Sequence, residues 1–271
     1  MMTMEIFFIG VASGSQVSAV KRYGYPYIML NYATKIATKI KPWNSIKILF
    51  IDSGGYSFFH SKGEYTTSDE AYIRYILRRK PDYFALRDYP CEPDILTKWR
   101  RTVQENQEKT LDKHLNLLNL MDDWNIWKYS EPVAVLQGWT LDDYLKHYDM
   151  MKEYGVFSRI SYVGIGTLCR RGQENTIRKI VTGIREALPK KFKLHGFGVK
   201  ISALKYKDVF EALYSADSVA WGLSERLNYK NSDGYKVEGQ LEALKKFVKK
   251  IDSIFRTHMN QRVLDRWCYV D

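Results

Sequence analysis

Eight short runs rich in β-branched and aromatic residues recur along the chain, and most are separated by stretches with helical character. The runs are 5–12 (EIFFIGVA), 25–30 (YPYIML), 46–51 (IKILFI), 82–87 (DYFALR), 132–137 (PVAVLQ), 161–166 (SYVGIG), 192–199 (FKLHGFGV) and 217–223 (DSVAWGL). Such runs read as buried strands. Between them, 67–79 opens with a capping box, Thr67 and Glu70, and carries Ala71, Ile73, Tyr75, Ile76 and Leu77 as its apolar members. Residues 93–121 form one long amphipathic stretch, and 140–154 begins TLDDYL, an N-cap followed by two acids where the helix dipole favours them. Further helices are expected over 173–188, 201–215 and 236–256. Strand–helix alternation without a linker rich in Pro, Gly or Ser predicts one α/β domain over 1–271. A single closed (β/α)8 TIM-type barrel fits a chain of this length, with an open doubly wound sheet as the alternative.

Several classes drop out. A hydrophobic content of 45% is enough for a large core, while the longest apolar runs fall far short of the ~20 residues of a membrane span. The N-terminal MMTMEIFFIG lacks a basic region and a small-residue cleavage site, so no signal peptide is expected and the setting is cytoplasmic. Cys91, Cys169 and Cys268 are odd in number and far apart, which gives neither a disulfide framework nor zinc-ligand spacing. No metal, cofactor or separate zinc-binding subdomain is expected.

The net charge of +11 suggests a polyanionic partner, most simply nucleic acid. Its sources cluster at 78–80, 98–101, 170–171, 190–193 and 245–250, and most of these suit solvated helix faces equally well. Arg170 and Arg171 stand apart because they closely follow a strand-like run and belong to a loop. Lys200 and Arg226 are further candidates for phosphate.

In a barrel the C-terminal strand ends carry the active site. Those ends read Asp52-Ser53-Gly54-Gly55-Tyr56, Asp88-Tyr89-Pro90, Gln137-Gly138-Trp139, Gly166-Thr167-Leu168, Gly198-Val199-Lys200 and Ala220-Trp221-Gly222. Two carboxylates, an amide, glycines and aromatics on one face suit a flat, hydrogen-bonding, stackable ligand such as a nucleobase. The alternative for Asp52 is a turn cap bonding its own backbone. No phosphate loop or serine nucleophile elbow is present. His195 is as much a core histidine as a general base, and Trp139 and Trp221 suit packing as well as stacking.

DSGGY (52–56), VLQG (135–138), YVGIGTL (162–168) and HGFGV (195–199), in this order and spacing, resemble the tRNA-guanine transglycosylase superfamily. FALRDYP and the following TKWRRTVQENQEKTLDKH (97–114) extend the resemblance, which covers roughly 46–226. It implies a barrel that exchanges guanine in a nucleic acid for a 7-deazaguanine base such as preQ0 or a derivative. Asp52 would then be an acid/base or essential carboxylate and Tyr56 would stack on the base. Asp88, Gln137, Gly166 and Thr167 would read its edge, with Ser53, Gly54, Gly138 and Leu168 beside them.

Two departures accompany the resemblance. The cysteine-rich zinc site of the tRNA enzymes is missing, and the position matching their nucleophilic aspartate is Ala220, with Asp217 three residues earlier. The short length, the lost zinc site and the SADSVAW wording look more like the DpdA-type branch that inserts 7-deazaguanine derivatives into DNA, so DNA is favoured over tRNA and helper DNA-modification proteins are expected. If the last strand is 217–223, Asp217 lies at its wrong end; a strand that begins before Ala216 brings it towards the rim. Asp217 also suits a helix–strand junction cap. The other readings are a glycosidase that removes a base without replacing it and a non-catalytic nucleic-acid-binding barrel.

Overall fold

The computed structural model describes residues 3–34, 43–222 and 233–267. Eight parallel strands pair in chain order and the last pairs with the first, closing a barrel. They are β1 Ile6–Val11, β2 Tyr27–Asn31, β3 Ile48–Asp52, β4 Tyr83–Ala85, β5 Glu131–Leu136, β6 Tyr162–Ile165, β7 Lys193–Gly196 and β8 Ser215–Ser218. Outside lie α1 Gly14–Tyr23, α2 Gly55–Lys62, α3 Asp69–Arg79, α4 Pro93–Trp99, α5 Val103–Asp123, α6 Leu141–Glu153, α7 Val156–Arg159, α8 Glu174–Ala187, α9 Lys207–Ala212 and α10 Asp233–Trp267. The expected TIM-type barrel is therefore the fold, and the open sheet is not. Among the described residues no helix is long and apolar enough to cross a membrane.

Alternation along each strand produces two cores. Phe8, Met29, Phe50, Val133 and Tyr162 point inward and fill the barrel. Ile9, Ile51, Phe84, Leu136 and Val163 point outward against the helices. The interior is thus packed rather than open.

Several boundaries differ from the sequence expectation, each for a local reason. α3 starts after Ser68, whose hydroxyl accepts from the Ala71 N–H at 3.2 Å, so Ser68 and not Thr67 is the cap. The stretch 93–121 is two helices, because Arg100 adopts a left-handed φ of 50° and ends α4. α5 then restarts with a reciprocal Thr102–Glu105 capping box. The 201–215 stretch divides into a 3-10 turn at Ile201–Lys205 and the short α9.

The last strand moves most. β8 is Ser215–Ser218 rather than 217–223, and Ala220–Gly222 forms a 3-10 turn. Trp221 belongs to that turn, where its indole N–H donates to the Gly10 carbonyl at 2.9 Å. Asp217 is consequently the third of four strand residues, one step from the C-terminal end.

A buried ion network secures the approach to the mouth. Arg87 is fully buried and bonds Asp69 at 3.0 Å, while Lys113 bonds the other Asp69 oxygen at 2.8 Å. The Arg87 guanidinium also lies 4.5 Å from the Tyr65 ring and 4.9 Å from that of Tyr72. Asp88 follows Arg87 directly, so the network fixes its backbone.

Candidate active site

Parallel register brings the ends of β2 and β3 level, with Asn31 beside Asp52. The Asn31 amide donates to Asp52 Oδ2 at 2.8 Å, and the Gly54 N–H donates to Oδ1 at 3.3 Å. Gly54 has a φ of 79°, and a Cβ there would lie 2.7 Å from both Ala33 Cβ and Asn31 Oδ1. At Gly55 a Cβ would lie 2.9 Å from Asp88 Oδ1 and 3.1 Å from the Tyr65 hydroxyl. The two glycines therefore admit protein groups: they let β3 turn into α2 while Asn31 and Asp88 crowd against the turn. Gly55→Ala is expected to displace Asp88 and lower turnover about 100-fold, the scale of an ~1 Å misplacement. Steady-state kinetics alongside a thermal melt check this; unchanged kinetics would mean that Asp88 has no exact position to lose.

Asp88 is buried and its oxygens are both engaged. Ser53 donates to Oδ1 at 3.0 Å and the Gln137 side-chain amide donates to Oδ2. Tyr65 clamps the backbone, donating to the Asp88 carbonyl at 2.8 Å and accepting from its N–H at 3.0 Å. Gln137 is held from behind as well: its N–H donates to His147 Nδ1 at 2.9 Å and its carbonyl accepts from Gln107 at 2.7 Å. Gly166 is small because Gln137 crosses it, and any Cβ would run into the amide.

Across the mouth, Asp217 is also buried, and its Oδ1 accepts from the Gly198 N–H at 2.7 Å. His195 Nε2 lies 3.4 Å from the same oxygen. His195 Nδ1 is 2.6 Å from the Ser215 hydroxyl, which in turn meets the Tyr162 hydroxyl. A polar line thus runs from the barrel interior to Asp217, and burial keeps His195 below its usual pKa. Ala220 lies three residues on, exposed in the 3-10 turn.

Burial pushes the Asp52 carboxyl up to about 7, with the Asp88 charge and, more weakly, Asp217 adding to the effect. Burial likewise raises Asp88 to about 6, against the hydrogen bonds from Ser53 and Gln137. Three carboxylates contributed by separate strands or their extensions converge here, and burial raises two of them, Asp52 and Asp88, well above the ordinary carboxylate range.

The remaining expected residues divide. Ser53 is buried and supports Asp88 rather than facing the mouth. Gly138 packs against the start of α6, and its carbonyl accepts from the Thr167 hydroxyl at 2.7 Å. Thr167 has a φ of 58° and Leu168 is fully buried in the outer core, so their side chains serve the loop. Tyr56 is half-buried, stacked on His60 at 5.6 Å with the Arg170 guanidinium 4.9 Å from its ring. Arg170 also pairs with Asp94 at 3.3 Å. Arg171, expected to meet phosphate, is instead buried, donates to the Trp139 carbonyl at 2.6 Å and lies 4.3 Å from the Trp139 ring. Lys200 is exposed and donates to the Gly172 carbonyl at 2.9 Å. Arg226 lies outside the described residues.

Asn31, Tyr65 and Glu92 belong to the site although the sequence did not single them out. Asn31 carried a usable signal, since it ends β2 as Asp52 ends β3. Glu92 is buried, one of its oxygens has no hydrogen-bond partner, and burial raises its carboxyl to about 8. A separate hollow of about 470 Å³ lies at the opposite, N-terminal end of the barrel, lined by Asp82, Trp127, Tyr129 and Arg159 among others. It contains none of the converging carboxylates.

A protein-family model, DpdA (DeoxyPurine in DNA protein A), matches residues 11–270 of the chain. No curated protein matches it.

Proposed function

Because the chain belongs to the DpdA family, the DNA-modifying branch of the tRNA-guanine transglycosylase superfamily, we propose that it exchanges guanine in DNA for a 7-deazaguanine. Asp217 is the nucleophile and Asp52 the proton carrier. The observation that supports this division is the convergence of Asp52, Asp88 and Asp217 at one end of the barrel in three different hydrogen-bonding environments.

The target nucleotide must first leave the base stack. Its guanine enters between Asp52 and Asp88, where Asp88 accepts from the N1–H and 2-amino group. Gln137 Nε2 carries a second hydrogen for O6. Asp217 Oδ1 is fixed by Gly198, which leaves Oδ2 to attack C1′. The Oδ2–C1′ bond forms as the C1′–N9 bond breaks, the electron pair leaves with the base, and Asp52 supplies its proton. Guanine departs and a 7-deazaguanine enters the same pocket. Its N9–H proton passes to Asp52, N9 bonds to C1′, and the ester to Asp217 breaks. The backbone stays intact throughout, and Asp52 ends as it began.

Asp52 must be protonated in the first half and ionised in the second. A carboxyl near 7 is close to the best compromise. Single-turnover exchange should therefore peak near neutrality and fall on both sides, with limbs that belong to the Asp52–Asp88 pair. A rate that keeps rising to pH 9 would remove Asp52 from this role. The reaction itself is tested by incubating the protein with DNA and an isotope-labelled 7-deazaguanine, then digesting to nucleosides for mass spectrometry. Label in deoxynucleosides is expected. Label only in tRNA would move the substrate, and unlabelled abasic sites would make the protein a glycosidase.

A further inference from the structure

A cavity of about 820 Å³ opens beside Asp217, between the loops that follow β7 and β8 and the helix α10. Gly198 and Ser218 line it. The first donates to the Asp217 carboxylate and the second is its chain neighbour, so the cavity lies next to the backbone that holds the proposed point of attack. Lys200, Lys205, Lys249 and Lys250 ring the opening, and all four are exposed. Among the described residues no carboxylate forms an ion pair with any of them, and the nearby Glu242 already pairs with Lys245 at 2.7 Å. The floor is apolar: Val219, 45% exposed, lies there with Phe247 and Ile254.

Several basic residues that the sequence also offered are committed elsewhere. Arg170 pairs with Asp94, Arg171 is buried, and Lys98 donates to the His60 carbonyl at 2.6 Å. Lys193 meets Glu131 at 3.5 Å at the far end of the barrel. Lys205, Lys249 and Lys250, none of them in an ion pair among the described residues, beside an apolar floor at the ends of β7 and β8 match a sugar–phosphate strand. Its phosphates need cations while its sugars and bases need apolar cover. We propose that this cleft holds the DNA strand flanking the target nucleotide, with Lys205, Lys249 and Lys250 on its phosphates. The inference rests on the exchange reaction proposed above, because it takes C1′ of the target to lie at Asp217.

Fluorescence anisotropy with a labelled guanine-containing DNA duplex, titrated between ~50 and ~200 mM salt, tests it. Lys249→Ala/Lys250→Ala should weaken binding and reduce the slope of log affinity against log salt by about 0.9 for each phosphate that loses its lysine. Lys190→Ala/Lys191→Ala removes equal charge from exposed positions just before β7, at the opposite end, and should leave the slope as in the wild type. Calorimetric affinity for a free 7-deazaguanine base should be the same in all three proteins. Equal slope losses from both pairs, or none from the cleft pair, would overturn the assignment. Wild-type label transfer is measured separately: its absence alongside a cleft-specific slope loss would count against the reaction and not the DNA path.

Discussion

Asp217→Asn should abolish exchange while leaving the barrel folded. Removing a covalent nucleophile commonly costs on the order of 10⁴-fold or more in turnover. The amide keeps the shape and can still accept from Gly198, so β8 and its contact with β7 survive. Binding of a free 7-deazaguanine should persist, because Asp88 and Gln137 lie on other strands or their extensions. Ala220→Asp should not restore activity in this variant, since position 220 lies beyond the strand, exposed in a turn. Kinetics, base binding and thermal melts on the same preparation separate these effects. If Asp217→Asn retained more than about a tenth of the wild-type rate, the attacking group would be elsewhere.

Asp52→Asn should lower turnover by roughly two to four powers of ten, the usual contribution of a positioned acid/base group. Its effect on stability depends on pH, with a sign fixed by the direction of the shift. The folded-state carboxyl is raised from 3.8 to about 7. The native state therefore binds a proton that the unfolded chain has released, and the stability this confers is complete below about pH 4. It is lost as pH rises through about 7. Asparagine does not titrate, so the melting temperature of the variant relative to wild type should increase between about pH 4 and 7. Against this, Asp52 accepts from both Asn31 and Gly54, and an amide keeps only one of those bonds. The slope of the difference against pH is thus the informative quantity, more than its value at one pH. A difference that shrinks with rising pH would mean that Asp52 is a charged turn cap after all.

What the sequence disclosed follows from how local each signal is. Asp52, Asp88, Gln137 and Gly166 each sit at or just past a strand end, so the alternating runs were enough to bring them to one face. Asn31 escaped because the apolar run stops at Leu30, one residue before the strand does. β8 was misplaced for a different reason. Its four residues, SADS, carry no apolar signature because Ser215 and Asp217 form part of a polar line with Tyr162 and His195. The hydrophobic character that suggested a strand at 217–223 belongs in part to a turn, Ala220–Gly222, pinned by Trp221. Pairing with β1 and β7 makes SADS a strand, which is a property of the closed barrel and not of the segment.

Helices α1 and α2 were not anticipated either. GSQVSAVKRY and GYSFFHSK have weak propensity, and α1 depends on the Ser13 cap and on packing against α10, more than 200 residues away. Arg171 shows the reverse error. Its position after a strand made it look like a free cation, whereas the Trp139 ring and carbonyl enclose it. The Lys249 and Lys250 pair looked like an ordinary solvated helix face, and only the fold brings it to the cavity lined by Gly198 and Ser218 at the ends of β7 and β8.

The division of labour between the carboxylates is the centre of the account, and a trapped intermediate tests it most directly. Wild-type protein is mixed with guanine-containing DNA without any incoming base, denatured during the reaction, and digested for peptide mass spectrometry. The account predicts a DNA-derived adduct on the peptide that contains Asp217, none in Asp217→Asn, and its discharge when a 7-deazaguanine is added before denaturation. An adduct on the peptide that contains Asp52, or exchange proceeding at full rate with no adduct on any aspartate, would contradict it.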